Sequence, residues 1–191
     1  MILGILGSGR EGGNSARLLE EALQGAVETS GRPARTILLS RLSFRGCIGC
    51  LACRETSEVC VLSDGLAQAL ADTASASALV LAAPIYYGYP TGLFKSYLDR
   101  WYSFRSGDRG LRTPEGRQAL LILAQGHPDP TAYRWATESL QKVLGGYGWV
   151  PSFLVAPGLE GAGAAARAPE LLAEARQAGA RLAGSGAAST R

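Results

Sequence analysis

Three features of the sequence predict an α/β fold, a doubly wound five-stranded parallel sheet with helices on both faces. Short runs such as Ile2-Leu3-Gly4-Ile5-Leu6 and Ala78 to Ala83 are apolar throughout, as strands covered on both sides are. Between these runs lie stretches with apolar residues at helical spacing. The two kinds of segment alternate along 191 residues, a length that suits one substantial core better than two.

The elements follow in order. Ile2 to Leu6 forms the first strand and ends in a glycine-rich turn. From Ser15, the residues Leu18, Leu19, Ala22, Leu23 and Ala26 mark one helical face, and Gly31 and Pro33 stop the helix. Thr36 to Leu39 supplies the second strand. Leu66 to Ala74 reads as a helix with Asp64 as its N-cap. Ala78 to Ala83 is the third strand, closed by Pro84. A helix over Thr91 to Tyr102, a strand over Ala119 to Leu123, a helix over Tyr133 to Leu144 and a strand over Val150 to Val155 complete the alternation. Gly158 to Arg167, mostly glycine and alanine, reads as a loose connection to a last helix over Pro169 to Leu182. The expected organisation is a single domain over 1–184 with a cysteine-rich insertion at 45–62, followed by a flexible tail at 185–191.

Composition narrows the function classes. Hydrophobic residues make up 47% and charged residues 18%, which is a globular balance. The net charge of +3 is spread along the chain, so no nucleic-acid partner is expected. Met1 to Leu6 has no basic leader, and no apolar run is long enough to span a bilayer, so no membrane association is expected. A cytoplasmic location follows, in which thiols stay reduced. Arg105, Arg109, Arg112 and Arg117 are opposed in sequence only by Asp108 and Glu115, and read either as a steering patch for an anionic partner or as a solvated loop.

Gly7-Ser8-Gly9-Arg10-Glu11-Gly12 matches the dinucleotide pattern G-x-G-x-x-G between a strand and a helix. The second strand, however, ends in Ser40-Arg41 where an acidic residue would hold a ribose, leaving only an NADP-type variant. No Lys-Ser or Lys-Thr follows Gly12, which excludes a nucleotide P-loop. Gly13-Asn14-Ser15 forms a polar helix entrance that, with Ser8 and Arg10, can surround a single phosphate. The alternative is an ordinary turn in which Asn14 or Ser15 caps the helix. Pro84-Ile85-Tyr86-Tyr87-Gly88-Tyr89-Pro90 lies at the carboxyl end of a central strand, where open parallel sheets bind ligands. Its tyrosines can line a flat ring, cap the core or form a subunit contact.

With these residues the chain resembles the NAD(P)H-dependent FMN reductases and, among them, the iron–sulfur flavoproteins, which are similar to flavodoxin in fold. Gly7 to Ser15 resembles the family's phosphate loop, Pro84 to Gly88 its flavin-ring loop, Leu93 to Arg100 the helix that follows, and Gln125-Gly126-His127-Pro128-Asp129 its third flavin contact. The resemblance covers residue 1 to about residue 156. It implies strand order 2-1-3-4-5 and an FMN whose phosphate is held by Ser8, Arg10, Asn14 and Ser15. The flavin ring would lie against Pro84, Ile85, Tyr86, Tyr87 and Gly88 and near Gln125 and Gly126. It further implies a homodimer or homotetramer, with Trp101, Tyr102 and Phe104 as candidates for either interface or core. His127, Lys95, Asp99 and Arg100 are expected to be structural rather than catalytic.

All four cysteines lie in one stretch, Cys47, Cys50, Cys53 and Cys60, spaced C-x2-C-x2-C-x6-C. Four thiolates complete the ligand set of a tetrahedral zinc or a [4Fe–4S] cluster, and three cysteines two residues apart favour the cluster. Free or disulfide-forming cysteines remain the alternative. Gly46 and Gly49 would let the backbone turn tightly and aim amides at sulfur. The leading expectation is an FMN-dependent oxidoreductase or electron-transfer protein whose cluster exchanges electrons with the flavin, serving small-molecule or protein donors and acceptors. The alternatives are a cluster-free reductase using NAD(P)H as reductant, and a non-catalytic metal- or redox-sensing module. A NADP-binding enzyme is the last possibility.

Overall fold

A computed structural model describes residues 1–56, 59–108 and 110–184; Arg109 and the expected tail at 185–191 lie outside it. The strands are β1 (Ile2–Leu6), β2 (Ala34–Leu38), β3 (Ala78–Tyr86), β4 (Tyr89–Pro90), β5 (Arg117–Ala124) and β6 (Trp149–Ala156). The helices are α1 (Asn14–Ser30), α2 (Leu66–Ser75), α3 (Gly92–Asp99), α4 (Arg134–Gly146) and α5 (Pro169–Gly184). All pairings along the path β2-β1-β3-β5-β6 are parallel, so the five strands expected from the sequence take their expected places.

A sixth strand corrects the count. Pro84 does not close β3: the strand runs on to Tyr86 and folds back antiparallel as β4, pairing Ile85 with Pro90 and Tyr86 with Tyr89. Tyr87 and Gly88, with φ of 51° and 84°, supply the two left-handed residues of a tight hairpin turn. Proline is tolerated in β3 because its missing donor falls near the strand's end, past the fully covered centre. Two other boundaries differ. The single helix expected over Thr91–Tyr102 is α3, capped by Thr91 Oγ1 accepting from the Phe94 N–H, followed by a 3₁₀ turn at Arg100–Phe104. The N-cap position of α2 is Gly65, but the Asp64 carboxylate still accepts the Leu66 N–H at 3.1 Å.

The strands bury their side chains in two layers. On one face, Leu3, Ile5, Leu79, Leu81, Leu121 and Leu123 pack with α2, α3 and α4. Trp101 and Phe104, candidates for an interface, are fully buried in this layer, with Trp101 edge-on to Tyr97 at 5.7 Å; Tyr102 is half-buried and accepts from Arg54. On the other face, Ile2, Leu6, Val80, Leu120 and Ile122 pack with α1 and α5. Those two helices meet through glycine. A Cβ on Gly25 would come within 2.0 Å of the Arg176 carbonyl oxygen, and one on Gly179 within 1.8 Å of the Ala22 carbonyl oxygen. Backbone therefore lies directly on backbone, and α5 fixes the rear of the helix whose front carries the glycine loop.

Candidate functional site

The parallel strands share a direction, so their carboxyl ends open on one side of the sheet, and the loops there can converge. They do. Ser8, Arg10, Gly12, Gly13, Asn14 and Ser15 from the first loop, Pro84, Ile85 and Tyr86 from the third strand, and Ala124, Gln125 and Gly126 from the end of β5 line one open cleft. Its cavity volume is about 210 Å³, and it is open to solvent along one side. Nine of the eleven residues expected there from the sequence are brought together. Tyr87 and Gly88 are not: Tyr87 projects fully into solvent, and Gly88 sits beneath Trp135.

The first loop is anchored at its root. Gly7 donates to the Ala82 carbonyl at 2.8 Å, its own carbonyl accepts from Thr91 Oγ1, and any Cβ at Gly7 would meet Phe94 at 2.7 Å. Ser8 is buried and its hydroxyl accepts the Arg10 N–H at 3.1 Å, which curls the loop. The N-cap of α1 is Gly13, which has no side chain to offer, so the first-turn amides have no side-chain cap. Ser15, the second residue of α1, is largely buried and lines the cleft. Uncapped amides, the positive end of a helix dipole and an exposed Arg10 free of any ion pair among the described residues are the groups that an anion could engage. The expectation that Asn14 or Ser15 caps the helix does not hold.

Asn14 has a different task. Its carboxamide donates to the carbonyls of Leu159 and Gly161, at 3.3 and 3.0 Å, and accepts the Ala165 N–H at 3.1 Å. The connection read as loose is thus tied down, also by Leu159 N–H to the Gln125 carbonyl at 2.9 Å, and it contributes Leu159, Gly161 and Ala162 to the cleft. Those three wall residues were missed, because a glycine–alanine stretch carries no periodic signal; the cue was Asn14, whose polar side chain at a helix start needs partners. Gln125 is also buried, and its amide nitrogen holds the carbonyls of His127 and Asp129 at 3.1 and 2.7 Å, shaping the turn after β5. His127 accepts the Asp129 N–H through Nδ1, a local turn contact.

Arg41 pairs through two nitrogens with Glu11, at 2.8 and 2.5 Å, and this holds the Glu11 carboxyl below its ordinary range. The cation needed by an NADP-type variant is thereby engaged. Lys95 pairs with Asp99 one turn along α3 at 2.5 Å. Of the arginines between 105 and 117, Arg109 lies outside the described residues and the other three are committed to the fold. Arg105 reaches the Gly146 carbonyl, Arg112 the carbonyls of Ser103 and Thr56, and Arg117 those of Pro114 and Ala74, with its guanidinium 4.1 Å over the Trp149 ring.

The second feature is the cysteine loop. Cys47, Cys50, Cys53 and Cys60 line one small apolar cavity of about 30 Å³, together with Ile48, Leu51, Val61, Leu62, Arg100, Tyr102 and Ser103. Gly49 and Leu51 both have left-handed backbone, with φ of 66° and 59°, and the Gly49 N–H lies 3.5 Å from the Cys47 sulfur. Burial pushes the Cys53 thiol pKa up, and the neighbouring Cys60, Cys50 and Cys47 add to the shift while Arg112 works against it. Among the described residues no three ligating groups approach closely enough for a single metal ion.

Residues 1–155 match the family described as NADPH-dependent FMN reductase. The chain belongs to that family. Among its curated relatives are iron–sulfur flavoproteins from Archaeoglobus fulgidus, 30% identical over 78% of this chain and 64% of the relative, and from Methanosarcina thermophila, 33% identical over 60% and 59%. A third, from Methanocaldococcus jannaschii, is 32% identical over 56% of this chain and 54% of its own length, so the chain spans half to two thirds of these curated relatives. Solved structures support the flavodoxin-like fold. An NAD(P)H:quinone oxidoreductase from Methanothermobacter marburgensis superposes with a TM-score of 0.73 at 19% identity over 95% of this chain and 96% of that one. An NADH:FMN oxidoreductase superposes with a TM-score of 0.69 at 22% identity over 96% and 88%.

Proposed function

We propose that the protein is an FMN-dependent oxidoreductase that carries an iron–sulfur cluster in electronic contact with its flavin. The observation that carries the flavin reading is the convergence of the uncapped α1 amides, Ser8, Arg10 and Ser15 with Pro84 to Tyr86 and Gln125 to Gly126 on one cleft. The first group would hold a monophosphate dianion through charge-assisted hydrogen bonds, each worth roughly 1.5–3 kcal/mol. The second would orient the ring, and Tyr86 and Ile85 would limit its access to water. Asn14 contributes by holding the 159–165 wall in place. FMN itself, when bound, supplies hydride and single-electron chemistry.

Four cysteines can supply the ligands of either zinc or a four-iron cluster, and the C-x2-C-x2-C spacing together with the iron–sulfur flavoproteins among the relatives favours the cluster. Cys47, Cys50, Cys53 and Cys60 would be its ligands, and the Gly49 amide would donate to a ligand sulfur. NAD(P)H or a one-electron donor would reduce the pair of centres, and a small molecule or protein would take the electrons. A reducing cytoplasmic setting suits the exposed Cys47 and Cys50, and a homodimer or homotetramer is the expected assembly.

The test is an absorption spectrum of anaerobically purified protein combined with flavin, iron and acid-labile sulfide analysis. The expected result is stoichiometric FMN with four irons per chain. Flavin without iron would favour the cluster-free NAD(P)H-dependent reductase. Protein that binds neither FMN nor iron would overturn both readings and leave the sensing module.

A further inference from the structure

Arg100 is 1% exposed, although it opens the 3₁₀ turn after α3. Nη1 donates to the Arg45 carbonyl at 3.1 Å and to Asp64 Oδ2 at 2.9 Å, and Nη2 donates to the Leu62 carbonyl at 3.1 Å. Residues 45 and 62 lie two positions outside Cys47 and Cys60, so one guanidinium clasps both ends of the cysteine loop. Its third nitrogen is different. Nε is buried and has no partner among the described residues, on a side chain that lines the cysteine cavity. Burial works against the charge, but Asp64 and the neighbouring Cys60 more than offset it, and Arg100 stays fully protonated.

A clasp needs only the two carbonyls and Asp64. Cys60 is itself among the groups that hydrogen-bond the Arg100 side chain, so the buried Nε–H beside it points to ligand sulfur as the acceptor in the cavity. Resting on the cluster reading above, we propose that Arg100 is a positioning residue that raises the reduction potential of the cluster. Reduction adds one electron, taken from the flavin or an external one-electron donor, and no proton. A cation held in a low-dielectric site favours the form with the extra negative charge, and an N–H···S hydrogen bond acts in the same direction. Asp64 partly cancels the cation, so its charge lowers the potential.

The test uses the full chain, loaded anaerobically, with iron and sulfide measured before redox titration followed by EPR. In Arg100→Gln the ratio of reduced to oxidised cluster, at the wild-type midpoint, should fall at least tenfold, equivalent to about 59 mV for one electron. Arg100→Lys, which keeps the charge but not Nε–H, should fall less. Asp64→Asn should shift the other way, raising the ratio severalfold, a reversal that a purely structural clasp would not produce. An Arg100→Gln protein with full iron and a ratio within twofold of wild type overturns the proposal and leaves the cluster reading standing. Wild-type protein lacking iron and sulfide overturns both. Should Arg100→Gln fail to hold iron, Asp64→Asn decides, and an unchanged or lowered ratio there overturns the proposal.

Discussion

The glycine loop before α1 and the cysteine loop after β2 both leave polar groups for something else to satisfy, and they do so by opposite means. The first presents backbone amides fixed by a helix, a strand root and the Thr91 contact, so its shape exists before any anion arrives. The second presents side chains on a segment whose only regular element among the described residues is a 3₁₀ turn at Ala52–Arg54, held at its ends by Arg100. Preformed backbone sites lose little entropy on binding. The cysteine loop takes its shape from side chains: Arg100 at its ends, Arg112 at Thr56 and its own Arg54 reaching Tyr102.

The largest expected effect separates the two regions outright. Cys53→Ser, at the most buried of the four thiols, should reduce iron content to near background while FMN content stays within twofold of wild type. Joint loss of both would break the comparison by showing that the regions fold as one. Next, Ser15→Asp places a carboxylate where the phosphate is proposed to lie. Charge repulsion and the lost hydroxyl together should cost about 3 kcal/mol, or roughly a hundredfold in FMN affinity by fluorescence titration, with iron unchanged.

Asn14→Ala removes three hydrogen bonds that hold the 159–165 wall without touching the phosphate amides. A loss of about 1–2 kcal/mol, seen as a roughly tenfold faster FMN release in stopped flow, would show that the wall acts through closure of the cleft. Acid should act on the cysteine side. The Asp64 carboxyl is partly buried, yet hydrogen bonds from Arg100 and the Arg45 and Leu66 amides hold its pKa below 3.8. Its stabilising effect is therefore complete above that ordinary value and is lost as pH falls through the lower folded one. Asp64→Asn should flatten this part of the stability curve below about pH 4, measured by thermal denaturation.

The smallest effects compare the two non-glycine residues with left-handed backbone among the described residues, Tyr87 and Leu51, one near each site and both exposed. Such a conformation costs a side-chain-bearing residue about 1 kcal/mol. Tyr87→Gly should raise Tm by a few degrees and leave FMN binding intact, since Tyr87 stands outside the cleft. Leu51→Gly should do the same for metal-free protein but slow oxidative loss of iron less well than wild type, because Leu51 walls the cysteine cavity.

Much of this organisation was legible in the sequence because its cause is local. Ile2–Leu6, Ala78–Ala83 and Ala119–Leu123 are buried on both faces, and uninterrupted apolar runs record that directly. Ser8, Arg10 and Ser15 could be placed because glycines between a strand and a helix leave few geometries. The β3–β4 hairpin was hidden, since Pro84 ordinarily ends a strand and the two-residue turn uses a tyrosine where glycine or asparagine is usual. Arg100 was legible only as a helix charge. Its partners at residues 45, 62 and 64 are brought near by tertiary folding, and no spacing along α3 announces them. The burial of Trp101 and Phe104 depends in the same way on Tyr147 and Trp149, which arrive from the far end of β6.

The glycine-to-glycine seam between α1 and α5 has a practical outcome for anyone trimming this protein. Residues 169–184 fall beyond the stretch that defines the family, and a shortened clone ending near residue 155 would look adequate on paper. Such a fragment would bare Leu18, Leu19, Ala22 and Ala26 to water along one side of the helix that presents the anion site. A truncated product of that kind should clump on expression and, even if rescued, lose its hold on cofactor through a blow landed well behind the cleft.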